Sequence, residues 1–147
     1  MAEIRQLSID DAALTAPIHR VSGALIPGYD TGLHTPAEDL EFHRTRVFVD
    51  NAVWGAFEGG ELIGFIALQP GWIDHLYVRP DRLRRGIGAR LVAFAQRQQS
   101  KLRLYTFQAN ARARAFYERL GFVIEELTDG ARNEEKMPDI TYLWRAS

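Results

Sequence analysis

The sequence is 147 residues long and contains no cysteine. Disulfide bonds and a cysteine nucleophile are therefore excluded, and the composition fits a reducing compartment. No stretch approaches the ~18 continuous apolar residues that a membrane-spanning helix needs. Glu3 and Arg5 leave no apolar core for a signal peptide at the start of the sequence. We expect a cytoplasmic protein with no membrane partner.

An excess of charge of either sign is also missing. The sequence has 18 Lys and Arg residues against 19 Asp and Glu residues, so its formal net charge is −1. No overall field therefore draws the chain to nucleic acid or to an anionic membrane. The composition, 46% hydrophobic and 25% charged, is ordinary for a globular protein. The length predicts a single domain over residues 1–147, and no repeat or low-complexity linker divides it.

The most informative stretch covers residues 72–91. Its apolar and aromatic first half predicts a buried strand, which Pro80 ends because proline donates no backbone hydrogen bond. Arginines and the paired Gly86 and Gly88 follow, and then apolar residues recur at helical spacing. A strand, a basic glycine loop and a helix N-terminus are typical of a site for a phosphate-bearing ligand. Free backbone N–H groups and the helix dipole attract an anion there.

The loop differs from two common phosphate sites. No Gly-Lys-Ser/Thr follows, so it is not a P-loop, and Leu91 stands where a dinucleotide-binding fingerprint requires its third glycine. Arg84 and Arg85 would add charge-assisted hydrogen bonds to an anion. Taken alone, the stretch also fits an ordinary loop with two glycines and exposed arginines.

A second informative stretch, residues 110–122, reads Asn-Ala-Arg-Ala-Arg-Ala-Phe-Tyr-Glu-Arg-Leu-Gly-Phe. Together the two stretches resemble the GNAT superfamily of acyl-CoA-dependent N-acyltransferases. In that family a Gln/Arg-x-x-Gly-x-Gly/Ala loop binds the coenzyme A pyrophosphate, and an Asn-x-x-Ala-x-x-Phe-Tyr-Glu-x-x-Gly-Phe helix follows. The first motif differs here at Leu83, and the second matches throughout. The resemblance covers residues 52–122, and the polar pattern of residues 128–144 looks like one uncharacterised branch of the family.

The resemblance implies an α+β fold. The family has a mixed, mostly antiparallel sheet of about six to seven strands, flanked by about four helices, with one splayed pair of strands that holds acyl-CoA. The sequence itself predicts one helix over residues 12–25 and another from the capping box Thr35-Pro36-Ala37-Glu38 to about Arg46. Strands are predicted near residues 4–7, at 52–57, 62–69, from 72 onward, and at 102–107, 122–127 and 140–144.

The resemblance also implies where acetyl-CoA binds. In the family, the pantetheine arm lies in the gap between the splayed strands and hydrogen-bonds to free backbone groups. A backbone N–H near Leu76 or Val78 would then polarise the acetyl carbonyl. The implied coenzyme-contacting residues are Leu76, Tyr77, Val78, Arg84, Arg85, Gly86, Ile87, Gly88, Ala89, Asn110 and Tyr117.

The implied reaction is direct transfer of the acetyl group to an amine, with no metal. Tyr117 matches the family's helix tyrosine, and its phenol is neutral at pH 7, so it is the candidate general acid for the thiolate leaving group. Alternatively, its ring packs beside Phe116 and its hydroxyl is satisfied within the fold. Asn110 is a helix N-cap, a ligand contact, or both.

Asp74 is the candidate general base. Period-two alternation places it on the strand face of Leu76 and Val78, whereas His75 should point to the opposite face. Asp74 is alternatively an acceptor-binding or merely solvated carboxylate. The remaining candidates for the base are His34, Asp139, Tyr142 and a water relay.

The acceptor side is less defined by sequence. Residues 26–35 connect the first two helices, and in the family this region forms one wall of the acceptor cleft. The implied acceptor-binding residues are Tyr29, His34, Glu38 and Asp74. Acidic residues near this region favour a cationic amine, such as a polyamine, an aminoglycoside, a lysine side chain or a peptide N-terminus. A solvated acidic rim without a recognition role fits equally well. These acidic residues are Glu38, Asp39, Glu41, Glu134, Glu135 and Asp139.

A group of arginines raises the question of a nucleic-acid partner. The balanced net charge and the lack of a nucleic-acid-binding motif argue against one. A charged face around the 3′-phosphate of coenzyme A explains the arginines more simply. They are Arg79, Arg82, Arg84, Arg85, Arg90, Arg112 and Arg114.

Two classes of function remain open. The first is an acetyl-CoA-dependent N-acetyltransferase whose partner is a small-molecule or peptide amine. The second is a non-catalytic domain that binds or senses acyl-CoA. The enzyme requires Tyr117 and Gly86, whereas the binding domain requires only Gly86. The sequence leaves open the acceptor, the acyl chain length and the oligomeric state, monomer or homodimer.

Overall fold

The computed structural model describes residues 2–147, apart from the side chain of Thr31. The strands are β1 (Glu3–Gln6), β2 (Ala52–Glu58), β3 (Glu61–Gln69), β4 (Trp72–Val78), β5 (Lys101–Phe107), β6 (Val123–Leu127) and β7 (Asp139–Arg145). The α-helices are α1 (Ala12–Gly23), α2 (Pro36–Phe42), α3 (Phe48–Asp50), α4 (Ile87–Gln98) and α5 (Ala111–Arg119). A π-helical turn, His43–Val47, joins α2 to α3.

The expected α+β fold is confirmed. Because α2, the π-helical turn and α3 are continuous, four helical units flank a sheet of seven strands. The predicted capping box starts α2: Glu38 N–H donates to Thr35 Oγ1 at 3.1 Å, and Thr35 N–H donates to Glu38 Oε1 at 2.8 Å. The helical stretch continues past Arg46 because the buried side chain of Val47 packs against the sheet. No helix within residues 2–147 combines the length and apolarity needed to cross a membrane.

The sheet has the strand order β1-β2-β3-β4-β5-β7-β6. All neighbouring strands are antiparallel except β4 and β5, which are parallel and pair only at Trp72 and Arg103. Beyond this pair the two strands separate, because β5 pairs along its whole length with β7. The splayed pair of strands is therefore present, and most of β4 has a strand partner only on the β3 side.

The sheet buries apolar side chains on both faces. Alternation along β3 directs Phe65 to one face and Ile66 to the other. The Phe65 face is covered by α1 and the π-helical turn, where Val47 packs. The Ile66 face is covered by α4 and α5, where Leu91 packs. The gap between β4 and β5 thus opens between two separately packed cores.

Strand β4 contains a β-bulge at Asp74. Leu68 pairs with Ile73 and Ala67 pairs with His75, so Asp74 is an extra residue with no partner on β3. As a result Ile73 joins the core on the α4 face, while His75 lies on the α1 face.

Candidate functional site

A cavity of about 570 Å³ lies where β4 and β5 separate, beside the N-terminus of α4; we call it the β4–α4 cavity. It brings together all of the residues that the sequence implied for coenzyme contact, except Arg85. Its lining includes Leu76, Tyr77, Val78, Arg84, Gly86, Ile87, Gly88, Ala89, Asn110 and Tyr117. Residues from two separate sequence motifs therefore share one surface.

The backbone of β4 presents hydrogen-bonding groups to this cavity. Arg79 N–H donates to the Ile63 carbonyl at 2.8 Å. The alternation of an antiparallel ladder therefore turns the N–H groups of Val78 and Leu76 away from β3 and toward the gap. The Val78 carbonyl accepts from Ser22 Oγ at 3.0 Å. The two N–H groups can pair with an extended, peptide-like ligand or polarise a carbonyl group.

The glycine loop shapes the other end of the cavity. Gly86 is the N-cap of α4 with a φ of +78°, a conformation that favours glycine. A Cβ there would meet nothing within 4 Å, so the space beside the loop is open. A Cβ at Gly88 would lie 3.1 Å from the ring of Phe116, so this glycine lets α4 approach α5. The first N–H groups of α4 are thus accessible to an anion.

The two arginines before Gly86 have different surroundings. Arg84 lines the β4–α4 cavity. Arg85 Nη1 instead lies 3.3 Å from Glu58 Oε1, outside the cavity, and Arg82 Nε binds the same carboxylate oxygen at 3.2 Å. Of the pair, only Arg84 is positioned to add positive charge to an anion in the cavity.

Helix α5 contributes Tyr117 and Asn110. Tyr117 is 8% exposed, and its ring lies against Phe116 and Phe122 with centroid distances of 5.1 and 5.6 Å. Its side chain lines the β4–α4 cavity, and its hydroxyl makes no hydrogen bond to another group within residues 2–147. Burial raises the pKa of Tyr117, so the phenol keeps its proton. Asn110 lines the cavity and also caps α5, because its Oδ1 accepts from Ala113 N–H at 3.2 Å.

A second cavity, of about 620 Å³, lies between α1, α2 and the loop before β7; we call it the α1–α2 cavity. Tyr77 and Ile26 line both cavities, so the two meet at β4. Three of the predicted acceptor-binding residues line it, namely Tyr29, His34 and Glu38. The family-based placement of an acceptor wall in this region therefore corresponds to a real concavity.

The rim of the α1–α2 cavity is acidic. Arg20 Nη1 is neutralised by Asp39 Oδ2 at 2.7 Å. His34 Nε2 lies 2.7 Å from Glu134 Oε1, and this hydrogen bond raises the pKa of His34. Arg46, the other arginine of the lining, pairs with Asp50 at 3.3 Å. Four further carboxylates of the lining have no ion-pair partner in the described part of the chain, and these are Asp30, Glu38, Glu41 and Glu135. The rim therefore suits a cation.

The loop between β6 and β7 is held by polar bonds of its own. Thr128 Oγ1 donates to Asp139 Oδ1 at 2.6 Å, and Asn133 Nδ2 donates to Asp139 Oδ2 at 3.1 Å. These bonds occupy Asp139, a candidate base in the sequence, and bring Glu134 and Glu135 to the α1–α2 cavity. The polar C-terminal pattern thus builds one wall of that cavity.

Asp74 lines neither cavity. Its carboxylate accepts from Asn51 Nδ2 at 2.8 Å and lies 3.4 Å from His75 Nε2. The face assigned to Asp74 by simple alternation is wrong, because the bulge interrupts the alternation there. Tyr142 is also remote, since its buried hydroxyl donates to Glu118 Oε2 at 2.6 Å.

A cluster of three histidines adjoins the α1–α2 cavity, and no pattern in the sequence indicates it. His43 Nε2 lies 2.9 Å from His19 Nδ1, and the ring of His19 lies 5.3 Å from that of His75. His19 also stacks on Tyr77 at 4.4 Å between centroids. The three come from α1, the π-helical turn and β4, so no motif spacing connects them.

Burial keeps these histidines neutral. Burial and neighbouring histidines lower the pKa of His19, and the same two causes lower that of His43 to about 4. Burial also lowers the pKa of His75, against the opposing charge of Asp74. No group of three His, Asp or Glu side chains within residues 2–147 is arranged to hold a metal ion.

Comparison with known proteins identifies the family. The acetyltransferase (GNAT) domain model matches residues 33–124, more than half of the chain. The chain belongs to the GNAT acetyltransferase family. The resemblance in the two motifs is thereby confirmed, while the assignment to a branch by the C-terminal pattern stays a prediction.

Individual proteins are also similar to this chain in sequence or in fold. The peptidyl-lysine N-acetyltransferase YiaC of Escherichia coli K12 is 33% identical over 95 residues, which are 64% of this chain and 62% of YiaC. The match thus spans less than two thirds of that relative. The solution structure of apo YjaB from Escherichia coli has a TM-score of 0.81 and 19% identity, with 100% of this chain and 99% of YjaB covered.

A further neighbour is the PaiA N-acetyltransferase of Thermoplasma acidophilum, solved with coenzyme A. Its TM-score is 0.74 at 23% identity, and 99% of each chain is covered. At these identities the two structural matches establish the GNAT fold.

Proposed function

We propose that this GNAT protein is an acetyl-CoA-dependent N-acetyltransferase that moves an acetyl group directly to a primary amine. One observation carries the proposal: the gap between β4 and β5 opens into the same cavity as the glycine loop, the α4 N-terminus and Tyr117. Membership of the family and the activity named for YiaC support it.

The residues of the β4–α4 cavity fit acetyl-CoA. The open space at Gly86 and the N–H groups of α4 suit the pyrophosphate, with Arg84 adding positive charge. The N–H groups of Leu76 and Val78 suit the peptide-like pantetheine arm and the acetyl carbonyl. When bound, acetyl-CoA supplies an acyl group activated as a thioester.

The chain's own residues then account for transfer. The amine reaches the thioester from the α1–α2 cavity, which meets the β4–α4 cavity at Tyr77. It must be neutral to form the new C–N bond. As the C–S bond breaks, Tyr117 donates its proton to sulfur. The side chain of Tyr117 lines the β4–α4 cavity, and burial raises its pKa, so its phenol carries the proton that this role requires.

The acceptor we propose is the lysine side chain of a peptide. The carboxylates of Glu41 and Glu135 on the rim attract an ammonium group and neighbouring basic residues. The peptidyl-lysine specificity in the name of YiaC supports the same class of acceptor.

Thermal unfolding with and without acetyl-CoA tests the coenzyme site. At ~100 times its dissociation constant, a ligand adds ~2.7 kcal/mol of stability. For a domain of this size we expect Tm to rise by roughly 5–11 °C. NAD and ATP serve as controls. No rise with acetyl-CoA would overturn the proposal.

Thiol release from acetyl-CoA tests catalysis. The probe is an N-terminally blocked peptide with one lysine, and its matched control has norleucine in place of that lysine. The enzyme should release thiol only with lysine present, and mass spectrometry should find the acetyl group on it. A Tm rise without thiol release, for this peptide and for a polyamine and an aminoglycoside, would instead support the non-catalytic binding domain.

A further inference from the structure

His19 lies beside the junction of the two cavities. Its ring stacks on Tyr77 at 4.4 Å with 19° between the ring planes, and Tyr77 lines both cavities. One turn later on α1, the bond from Ser22 Oγ to the Val78 carbonyl holds the helix against β4. His19 itself lines the α1–α2 cavity. His19 is therefore next to the place where the α1–α2 cavity reaches β4.

The hydrogen bonds of the cluster determine which nitrogen of His19 is free. Thr15 Oγ1 lies 3.4 Å from the Ala12 carbonyl and 2.8 Å from His43 Nδ1. We assign its proton to the bond with the carbonyl, which leaves Oγ1 to accept from His43 Nδ1–H. His43 Nε2 then accepts from His19 Nδ1–H at 2.9 Å. The Nε2 of His19 has no hydrogen-bond partner within residues 2–147. It therefore carries a lone pair that can take a proton.

The surroundings keep the ring of His19 unprotonated between turnovers. Because burial, His75 and His43 lower the pKa of His19, its ring is neutral before the reaction and does not retain a proton afterwards. Asp74, the carboxylate expected as the base, is bound to Asn51 outside both cavities. The charged and titratable groups that line the α1–α2 cavity or contact the cluster are Arg20, Tyr29, Asp30, His34, Glu38, Asp39, Glu41, His43, Arg46, Asp74, His75, Tyr77, Glu134 and Glu135.

We propose that His19 is a further catalytic residue, the group that takes the proton lost by the attacking amine. His43 and Thr15 are positioning residues that hold its tautomer. The inference rests on the proposed acetyl transfer. The amine nitrogen bonds to the acetyl carbon while its proton moves to His19 Nε2, and the C–S electron pair leaves with sulfur, which takes a proton from Tyr117. His19 releases its proton to water and Tyr117 regains one, so the products are an amide and a thiol.

Chemical rescue provides the main test. His19→Ala removes the imidazole and leaves a space beside Tyr77. With acetyl-CoA and the blocked single-lysine peptide, we expect kcat to fall about 100-fold. The Tm rise with acetyl-CoA should persist, because His19 does not line the β4–α4 cavity. Added imidazoles should restore turnover in the order of their basicity, whereas thiophene, a ring of similar size without a basic nitrogen, should not.

A second test addresses the tautomer. Nitrogen NMR of the labelled protein should show a proton on Nδ1 of His19 and none on Nε2 at pH 7. Thr15→Val removes the hydroxyl at nearly constant side-chain shape, and it should lower kcat about tenfold and change the tautomer of His19. Thr15→Ser keeps a hydroxyl, so its kcat and its His19 tautomer should match those of the native protein. A proton on Nε2 in the native protein would overturn the proposal.

The outcomes separate this inference from the proposed function. If the native protein releases no thiol with any of the amines, both are overturned. If the native protein is active and His19→Ala is equally active, or is rescued equally by thiophene, only the role of His19 is overturned. Rescue that follows basicity supports it.

Discussion

The two cavities differ in how the chain builds them. The β4–α4 cavity is formed mainly by two continuous stretches, residues 76–89 and 110–120. The α1–α2 cavity draws on α1, α2, β4 and the loop between β6 and β7. The β4–α4 cavity is therefore specified by short-range motifs, whereas the α1–α2 cavity depends on contacts between residues far apart in sequence.

The cavities also differ in charge. The β4–α4 cavity offers the N-terminus of α4 and Arg84, which suit an anion. The α1–α2 cavity has an acidic rim and neutral histidines in its wall. The difference fits one site for a phosphate-bearing donor and a separate site for a cationic acceptor.

Tyr117→Phe tests whether the β4–α4 cavity does more than bind. We expect kcat to fall about 100-fold or more, since the phenol proton is lost. The Tm rise with acetyl-CoA should stay, because the ring still fills its place. Tyr105→Phe is the matched control, as Tyr105 is 66% exposed and lines neither cavity. Equal kcat values for the two variants would mean that the β4–α4 cavity binds acetyl-CoA and that Tyr117 takes no part in catalysis.

The neutral histidines beside the α1–α2 cavity should make the stability of the fold depend on pH in acid. Burial lowers the pKa of His43 from 6.5 to about 4, so below pH 6.5 the unfolded chain binds a proton that the folded one does not. We expect His43 to lower the free energy of unfolding by about 3 kcal/mol as the pH falls through this window. Urea unfolding at a series of pH values measures it.

Two variants test which histidines cause this pH dependence of stability. His43→Gln should remove this part of the acid dependence, and an unchanged slope would contradict the assignment. His34 has the opposite sign: Glu134 raises its pKa, so its contribution is present in acid and is lost as the pH rises through its raised pKa. His34→Gln should therefore steepen the loss of stability in acid.

Gly86→Ala tests the local conformation on the coenzyme side. A Cβ at a φ of +78° costs roughly 1–2 kcal/mol, and a loop that shifts to relieve this strain should bind acetyl-CoA about tenfold more weakly. Gly60→Ala is the matched control: Gly60 has a φ of +82° and equally open space beside it, but it lies in the β2–β3 turn. It should lose similar stability and keep its affinity for acetyl-CoA, as measured by calorimetry. Equal affinities for both variants would contradict the role of Gly86.

Glu135→Gln tests the acidic rim. We expect KM for the blocked lysine peptide to rise about two- to fivefold with kcat unchanged, because an exposed charge pair contributes roughly 0.2–1 kcal/mol. The effect should shrink in high salt. Glu126→Gln makes the same charge change on the exposed surface of β6, and its KM should match that of the native protein. If KM is unchanged in Glu135→Gln, the acidic rim is a solvated surface that does not recognise the acceptor.

Much of the fold and of the β4–α4 cavity could be predicted because the signals are local. The Thr35–Glu38 capping box, the strands and the loop containing Gly86 appear where the sequence indicates them. The face of Asp74 could not be predicted, because a single extra residue in β4 reverses the alternation and only the pairing with β3 reveals it. The position of Arg85 likewise depends on Glu58, which is distant in sequence.

The sequence by itself determined the family, the strand–loop–helix that lines the β4–α4 cavity and the tyrosine of α5, because backbone conformation and helix capping depend on neighbouring residues. Only the tertiary structure decided which side chains meet at the α1–α2 cavity. His19, His43 and His75 become neighbours because α1, the π-helical turn and β4 pack together over the sheet. Burial in that packing lowers their pKa values, and no pattern along the chain carries that information.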